Sequence, residues 1–283
     1  MSNRVNIIAE IGANHNGDMS LAKEMVQAAS ESGADYAKFQ SWQNSNIPPG
    51  PWDKDEPFFQ FKSKREFYEI AEISDENHFE LIEYCNSVGI KFLTTCFDRP
   101  RVEFLSRLGL HTIKVASPDS TSHTMISELG KNFDTLLVST GMTYPHELAE
   151  TASILNEMGK NYALLYCVSM YPTPLENVSL ERMNLVSRHV GENGEFGVSD
   201  HTMGTTVPKV AVCHGARWIE KHFTTDRDIP GPDNFMSTLP NEISEIRKFC
   251  DEYDRIDKTE RVRVYDEELT ARKVMVGRFG NNR

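Results

Sequence analysis

Two short stretches hold chemically capable side chains at intervals of two residues. In Trp218–Asp233, WIEKHFTTDRDIPGPD, the strand-like start puts Trp218, Glu220 and His222 on one face and Ile219, Lys221 and Phe223 on the other. A proline-glycine-proline turn then delivers Asp233. In GVSDHT, Gly197–Thr202, Ser199 and His201 share a face at a second strand end. Buried charge is costly unless paired or bound to a metal. Two histidines at successive strand ends therefore point to a metal site, and neutral imidazoles with oxygen ligands suit Mn²⁺, Fe²⁺, Co²⁺ or Zn²⁺. Glu10, Glu220 and Asp233 are either groups that support the metal and move protons, or ion-pair partners of lysines; the residues leave both readings open. Lys38 and Lys114, with Thr95, Ser117, Ser139 and Ser199 as hydroxyl donors, have the composition of a cradle for phosphate plus carboxylate. His78, His111, His123, His146, His189 and His214 are read as core or surface residues.

These side chains need a scaffold that gathers strand ends. Period and breakers predict eight strands: Val5–Ile11, Tyr36–Ser41, Lys91–Phe97, Thr112–Ala116, Thr135–Thr140, Tyr162–Ser169, Glu195–Asp200 and Arg217–Phe223. Helical spacing fills the gaps, with Asp18 and Ser74 as caps for two helices. Eight alternating units favour a single-domain (β/α)8 TIM barrel over an open sheet. In a barrel, catalytic groups lie at the carboxyl ends of the strands. Strand one gives Glu10, Asn14 and His15; strand two gives Lys38 and Gln40; later ends give Thr95, Lys114, Ser117, Ser139, Thr140, Ser169 and Tyr171. A passive barrel would fill such positions with Val, Ile and Leu. The expected division is a barrel over 1–254 and an extension over 255–283. A long loop, Trp42–Lys62, follows strand two and reads as a lid, a substrate wall or a plain insertion.

The 283 residues carry a net charge of −12, which argues against nucleic acid or an anionic membrane as partner. No apolar run is long enough to span a bilayer, and the first residues do not read as a signal peptide. The five cysteines show no CxxC spacing and read as core residues of a cytoplasmic protein.

The motifs AEIGANHNG, ADYAKFQ, KVASPD, LVSTGMT, YCVSMYPTP, GVSDHT and IEKHFT…PGPD, in this order from about Val5 to Phe249, resemble the sialic acid synthase family. The resemblance implies condensation of phosphoenolpyruvate with an open-chain N-acyl hexosamine aldehyde, such as N-acetylmannosamine or a derivative, to a nine-carbon 3-deoxy-2-keto acid and phosphate. It implies that His201 and His222 hold a divalent metal: Mn²⁺ first, with Mg²⁺ or Co²⁺ as alternatives. Lys38, Thr95, Lys114, Ser117, Ser139 and Ser199 would bind phosphoenolpyruvate. Glu10 would act as acid/base near the attacking water, with Glu220 close to the metal. Gln40, Asp119, Tyr171 and Asp233 would meet the sugar, Asp233 also serving in catalysis.

Three departures stand out. Ser117-Pro118-Asp119 replaces the common Ser-Gly-Glu, and Ser169 stands where Asn is frequent. The resemblance stops short of the antifreeze-like domain that usually follows. Expected partners are accordingly a homodimer mate or a separate antifreeze-like cap subunit, and the expected acceptor is a non-standard sugar. The rival readings are a synthase using another aldose, a Schiff-base aldolase built on Lys38 or Lys114, and a non-catalytic sugar or phosphoenolpyruvate binder.

Overall fold

Eight parallel strands hydrogen-bond in chain order and close into a barrel. The structure, a computed structural model, describes residues 4–47, 50, 54, 56–256 and 264–279. The strands are β1 (Asn6–Gly12), β2 (Tyr36–Ser41), β3 (Lys91–Cys96), β4 (Thr112–Val115), β5 (Thr135–Ser139), β6 (Asn161–Cys167), β7 (Gly194–Asp200) and β8 (Trp218–His222). Each coincides with an expected strand to within a residue or two. The barrel expectation is borne out.

Helices alternate with the strands: α1 (Met19–Glu31), α2 (Lys64–Ala71), α3 (Asp75–Ser87), α4 (Arg101–Ser106), α5 (His123–Asn132), α6 (Pro145–Glu157), α7 (Leu180–Arg188), α8 (Thr206–Cys213), α9 (Pro240–Asp254) and α10 (Asp266–Met275). The caps form as expected. Asp18 accepts from Ser20 N at 2.8 Å and Leu21 N at 3.2 Å, and Ser74 from Asn77 N at 3.1 Å, satisfying amides with no helical partner.

Side-chain alternation sorts the core into two shells. Ile7, Ala9 and Ile11 of β1, like their counterparts around the barrel, point outward into the main apolar cluster under the helices. Inside, Ile8, Tyr36, Leu93, Leu137, Ala163, Leu165 and Trp218 form an apolar plug. One alternation step further along the strands, the interior turns polar. The plug is thus the floor of the site.

The loop after β2 contains more structure than a plain insertion. Ser63 accepts from Glu66 N at 3.1 Å and starts α2, whose Phe67 and Ala71 bury against Trp42 and Phe61. Pro48, Pro49 and Pro51 of the expected loop lie outside the described residues. α9 packs on the barrel through Ile243, Ile246 and Cys250, whereas α10 buries no residue. Residues 257–263 and 280–283 of the expected extension lie outside the described residues. Among the described residues, no helix is long and apolar enough to cross a membrane.

Candidate active site

The polar tier above the plug is fixed by strand register. Glu10 pairs with Lys38 across β1 and β2, Thr95 with Lys114 across β3 and β4, and Ser199 with Glu220 across β7 and β8. These residues surround a cavity of ≈ 110 Å³ that also receives Gln40, Ser117, Ser139, Tyr171, His201 and His222. All twelve were singled out from the sequence. One chain-wide pattern thus converges on one hole.

Four buried charges sit at its base. Lys38 Nζ lies 2.7 Å from Glu10 Oε2 and 3.7 Å from Glu220 Oε2, and Lys114 Nζ lies 3.3 Å from Glu220 Oε1. Hydrogen bonds complete the frame. Lys38 donates to Thr95 Oγ1 (2.8 Å), Ser199 Oγ to Glu220 Oε1 (2.9 Å), and Gln40 Nε2 to Glu10 Oε1 (2.8 Å). The ion-pair reading of the two glutamates is therefore realised in the structure, and it coexists with the lysine-and-hydroxyl cradle. The carboxyls differ in acidity. Burial pushes Glu10 up, Lys38 opposes the shift, and Glu220 adds to it, leaving Glu10 above the usual range. Burial also acts on Glu220, but Lys114 and Lys38 outweigh it and hold that carboxyl at about 2. The surroundings thus favour the charged form of Glu220 more strongly than that of Glu10.

The two histidines face each other at the rim of this tier, with ring centroids 5.4 Å apart. His201 Nδ1 lies 2.8 Å from the Val168 carbonyl, which assigns it as the donor and leaves Nε2 for a ligand. His222 Nδ1 is buried with no hydrogen-bond partner, 3.8 Å from Asp233 Oδ2. Burial, then His201, holds His222 well below the usual imidazole value, so it is a neutral base. Glu220 Oε2 and Ser139 Oγ also lack hydrogen-bond partners among the described residues. These donors fit a divalent ion held by two imidazoles. Among the described residues, no cluster of three or more His, Cys, Asp and Glu is arranged for a metal, so the remaining ligands would be water or substrate oxygens.

Two further clefts open beside the cavity, both reaching Gln40 and Trp42. One, of ≈ 320 Å³, is walled by Tyr171, His222, Asp233, Lys64 and the aromatic rings of Phe58 and Tyr68. Burial pushes Asp233 up to about 6, against the opposing charges of His201 and Lys64. The other, of ≈ 430 Å³, runs past Phe97, Asp98 and Pro118.

Some expected residues lie elsewhere. Asp119 lines none of these clefts; its carboxylate accepts from Ser122 Oγ at 3.2 Å at the start of α5, because Ser117–Asp119 winds into a helical turn that swings it aside. Asn14 donates to Phe223 O and Ser237 Oγ, both at 2.9 Å, and ties β1 to the loop after β8. His15 Nδ1 accepts from Gly17 N at 3.1 Å, and Thr140 Oγ1 donates to Leu165 O at 3.0 Å, so both brace loops.

Other residues escaped the sequence reading. Cys167 lines the cavity with Sγ 3.9 Å from His201 Nδ1. Its parity on β6, two residues beyond Leu165 of the plug, was the available signal. Lys64, Phe67 and Tyr68 come from α2, which the Ser63-x-x-Glu66 capping pattern could have revealed.

A NeuB family model matches residues 25–260. The chain belongs to the NeuB family. Over 254 residues it is 37% identical to the N,N'-diacetyllegionaminic acid synthase of Legionella pneumophila, covering 85% of this chain and 69% of that one. Human N-acetylneuraminate-9-phosphate synthase is 31% identical over 245 residues, 85% of this chain and 67% of that one. The solved N-acetylneuraminic acid synthetase of Leptospira borgpetersenii superposes with a TM-score of 0.83 at 28% identity, over 97% of this chain and 93% of that one. This NeuB-family chain is accordingly a transferase of the sialic acid synthase type.

Proposed function

We propose that the protein condenses phosphoenolpyruvate with the open-chain aldehyde of an N-acylated hexosamine, releasing phosphate and a nine-carbon 3-deoxy-2-keto acid. The observation that carries this reading is the joining, in one cavity, of a buried two-lysine hydroxyl cradle with two facing imidazoles. Charge favours it. Lys38 and Lys114 offset Glu10 and Glu220, so the tier without a ligand is close to neutral. A divalent ion would add two positive charges, offsetting most of the roughly −2.5 to −3 of a phosphate plus a carboxylate.

In the proposed reaction, C3 of phosphoenolpyruvate attacks the aldehyde carbon, forming the new carbon–carbon bond. Water adds to C2, and the resulting tetrahedral carbon expels phosphate to leave the keto group. An ion bound by His201 and His222 would supply Lewis-acid polarisation of the aldehyde oxygen. Lys38, Lys114, Thr95, Ser117, Ser139 and Ser199 would hold the phosphate and carboxylate and orient C3. Glu10, whose pKa is raised by burial, would take one proton from the attacking water and pass it to the alkoxide formed from the aldehyde oxygen, while the remaining hydroxyl proton leaves with the phosphate as the keto group forms. Gln40, Tyr171 and Asp233 would orient the sugar chain.

Two neighbouring clefts and the identity to a diacetyllegionaminic acid synthase support a 2,4-diacetamido hexose as acceptor before plain N-acetylmannosamine. A cytoplasmic location belongs to the same proposal. The deciding experiment is phosphate release from phosphoenolpyruvate with Mn²⁺ across N-acetylmannosamine, 2,4-diacetamido hexoses and simple aldoses. Release that requires one amino sugar and stops with EDTA is expected. Phosphoenolpyruvate binding with no release for any sugar would overturn the reading, and borohydride trapping of pyruvate on a lysine would replace it with Schiff-base chemistry.

A further inference from the structure

On β7 and β8 the inward residues alternate with two charged residues that face away from the cavity. Asp200 lies between Ser199 and His201, and Lys221 between Glu220 and His222. The two are register partners and form the last rung of the β7–β8 ladder. Both are buried, at 5% and 2% exposure, and Lys221 Nζ lies 2.9 Å from Asp200 Oδ2.

The pair also closes the turn after β7. Asp200 accepts from Thr202 N at 3.0 Å through Oδ1 and from Thr202 Oγ1 at 2.9 Å through Oδ2, while Lys221 Nζ donates to the Thr202 carbonyl. His201 is the residue spanned by that turn. It is the first residue past the ladder, so no strand pairing fixes it. Its carbonyl accepts from Thr173 N at 2.9 Å, and its ring bonds the Val168 carbonyl. His222 is the neighbour of Lys221.

Apolar residues at these outward positions would hold the strands to the helices at least as well, because desolvating two charges consumes much of what their attraction returns. An ion pair does what apolar contacts do not: it fixes one register and one turn geometry.

We propose that Asp200 and Lys221 are positioning residues, a buried clasp that sets the spacing between His201 and His222 and thereby the affinity for a divalent cation. The proposal rests on the reading of these two histidines as ligands.

The test is Mn²⁺ binding to the metal-free full-length protein, followed by the electron paramagnetic resonance of free Mn²⁺ well below each variant's melting temperature. The variants are Lys221→Met, Asp200→Asn and Lys221→Arg, with His222→Ala as control. Loss of the clasp weakens Mn²⁺ binding about 10- to 100-fold in both Lys221→Met and Asp200→Asn, the range seen when partners of metal ligands are removed. A through-space charge effect predicts something different: removing the cation tightens Mn²⁺ binding and removing the anion weakens it. Lys221→Arg keeps the charge and restores affinity to within about threefold.

Opposite-signed effects, or lower melting temperatures with unchanged Mn²⁺ affinity, overturn the clasp. If Lys221→Met fails to fold, Lys221→Gln takes its place, so that removal of the cation is still read against Lys221→Arg. If His222→Ala also binds Mn²⁺ like the parent, the metal reading has failed and takes the clasp with it.

Discussion

Glu220 sits between the two buried lysines, 3.7 Å from one and 3.3 Å from the other, and its carboxylate occupies the space where an incoming anion would seek its positive charge. Its role can therefore be separated by sign. Glu220→Gln keeps the shape and the Ser199 contact but takes the carboxylate away from Lys114 and leaves Lys38 paired with Glu10 alone. Phosphoenolpyruvate affinity, read by calorimetry, is expected to hold or improve, while turnover in phosphate release falls about 100-fold, the scale of one lost acid/base or charge-stabilising group. Weaker phosphoenolpyruvate binding in this variant would mean that the lysines do not form the anion cradle. Gly141 tests the opposite wall. A Cβ there would lie 2.8 Å from Ser117 Oγ and 2.3 Å from Ser169 Oγ, and Gly141 N donates to Ser117 Oγ at 3.0 Å. Gly141→Ala should displace Ser117 and weaken phosphoenolpyruvate binding roughly tenfold, the weight of one hydrogen bond to a charged group, with little change in melting temperature. Affinity equal to the parent's would remove Ser117 from the cradle.

At the scale of elements, helix α3 carries a titratable group in its buried stripe. His78 is fully buried, with Nδ1 2.8 Å from the Ser74 carbonyl, Nε2 unpartnered, and the ring edge-on to Phe104 at 5.3 Å. Burial holds it at about 4, below the usual imidazole value. The unfolded chain takes up this proton near pH 6.5 and the folded chain only near 4, so stability is full above the first value and declines as pH falls between them. The decline attributable to His78 amounts to at most about 3 kcal/mol by pH 4. His78→Phe should flatten the urea midpoint between pH 6.5 and 4; a parallel decline in parent and variant would show that His78 ionises without penalty in place. From the sequence His78 reads only as a core or surface residue, because a single histidine usually is one. The same parity arguments made the barrel and most of its polar tier legible, because alternation on β1, β2, β7 and β8 puts Glu10, Lys38, Ser199 and Glu220 inside whatever the loops do. Loops and turns were the blind spot. Asp119 lies in a three-residue helical turn with Pro118, whose rotation periodicity does not encode. α2 was missed because its apolar stripe is only two buried residues long, and Cys167 because a lone cysteine looks alike in a core and in a site.

For the whole molecule, the question is how much chain the site requires. Every residue of the polar tier comes from the eight strands and the loops that follow them, and α9 closes the helical ring by burying Ile243, Ile246, Arg247 and Cys250. Arg247 links α9 back to the residue before the first strand: its guanidinium donates to Val5 O at 2.8 Å and meets Asp35 Oδ2 at 3.3 Å. The barrel's seam is thus secured by α9. By contrast, α10 buries no residue and exposes Val274 and Met275, and Phe279 beyond it is 90% exposed. Stability follows buried apolar area, at about 25 cal/mol per Å², and a helix that buries none contributes close to nothing. A chain ending at Ile256 should therefore melt within about 2 °C of the full chain, since a change under 0.5–1 kcal/mol moves a domain of this size by no more than that. It should also bind phosphoenolpyruvate with the parent's affinity, because among the described residues none after α9 lines the cavity. A calorimetric scan of both chains checks the first point and a phosphoenolpyruvate titration the second. A loss of stability with binding intact would make α10 a structural brace. A loss of binding with the melting temperature unchanged would place part of the 257–283 segment at the mouth of the barrel, as a wall of the acceptor site.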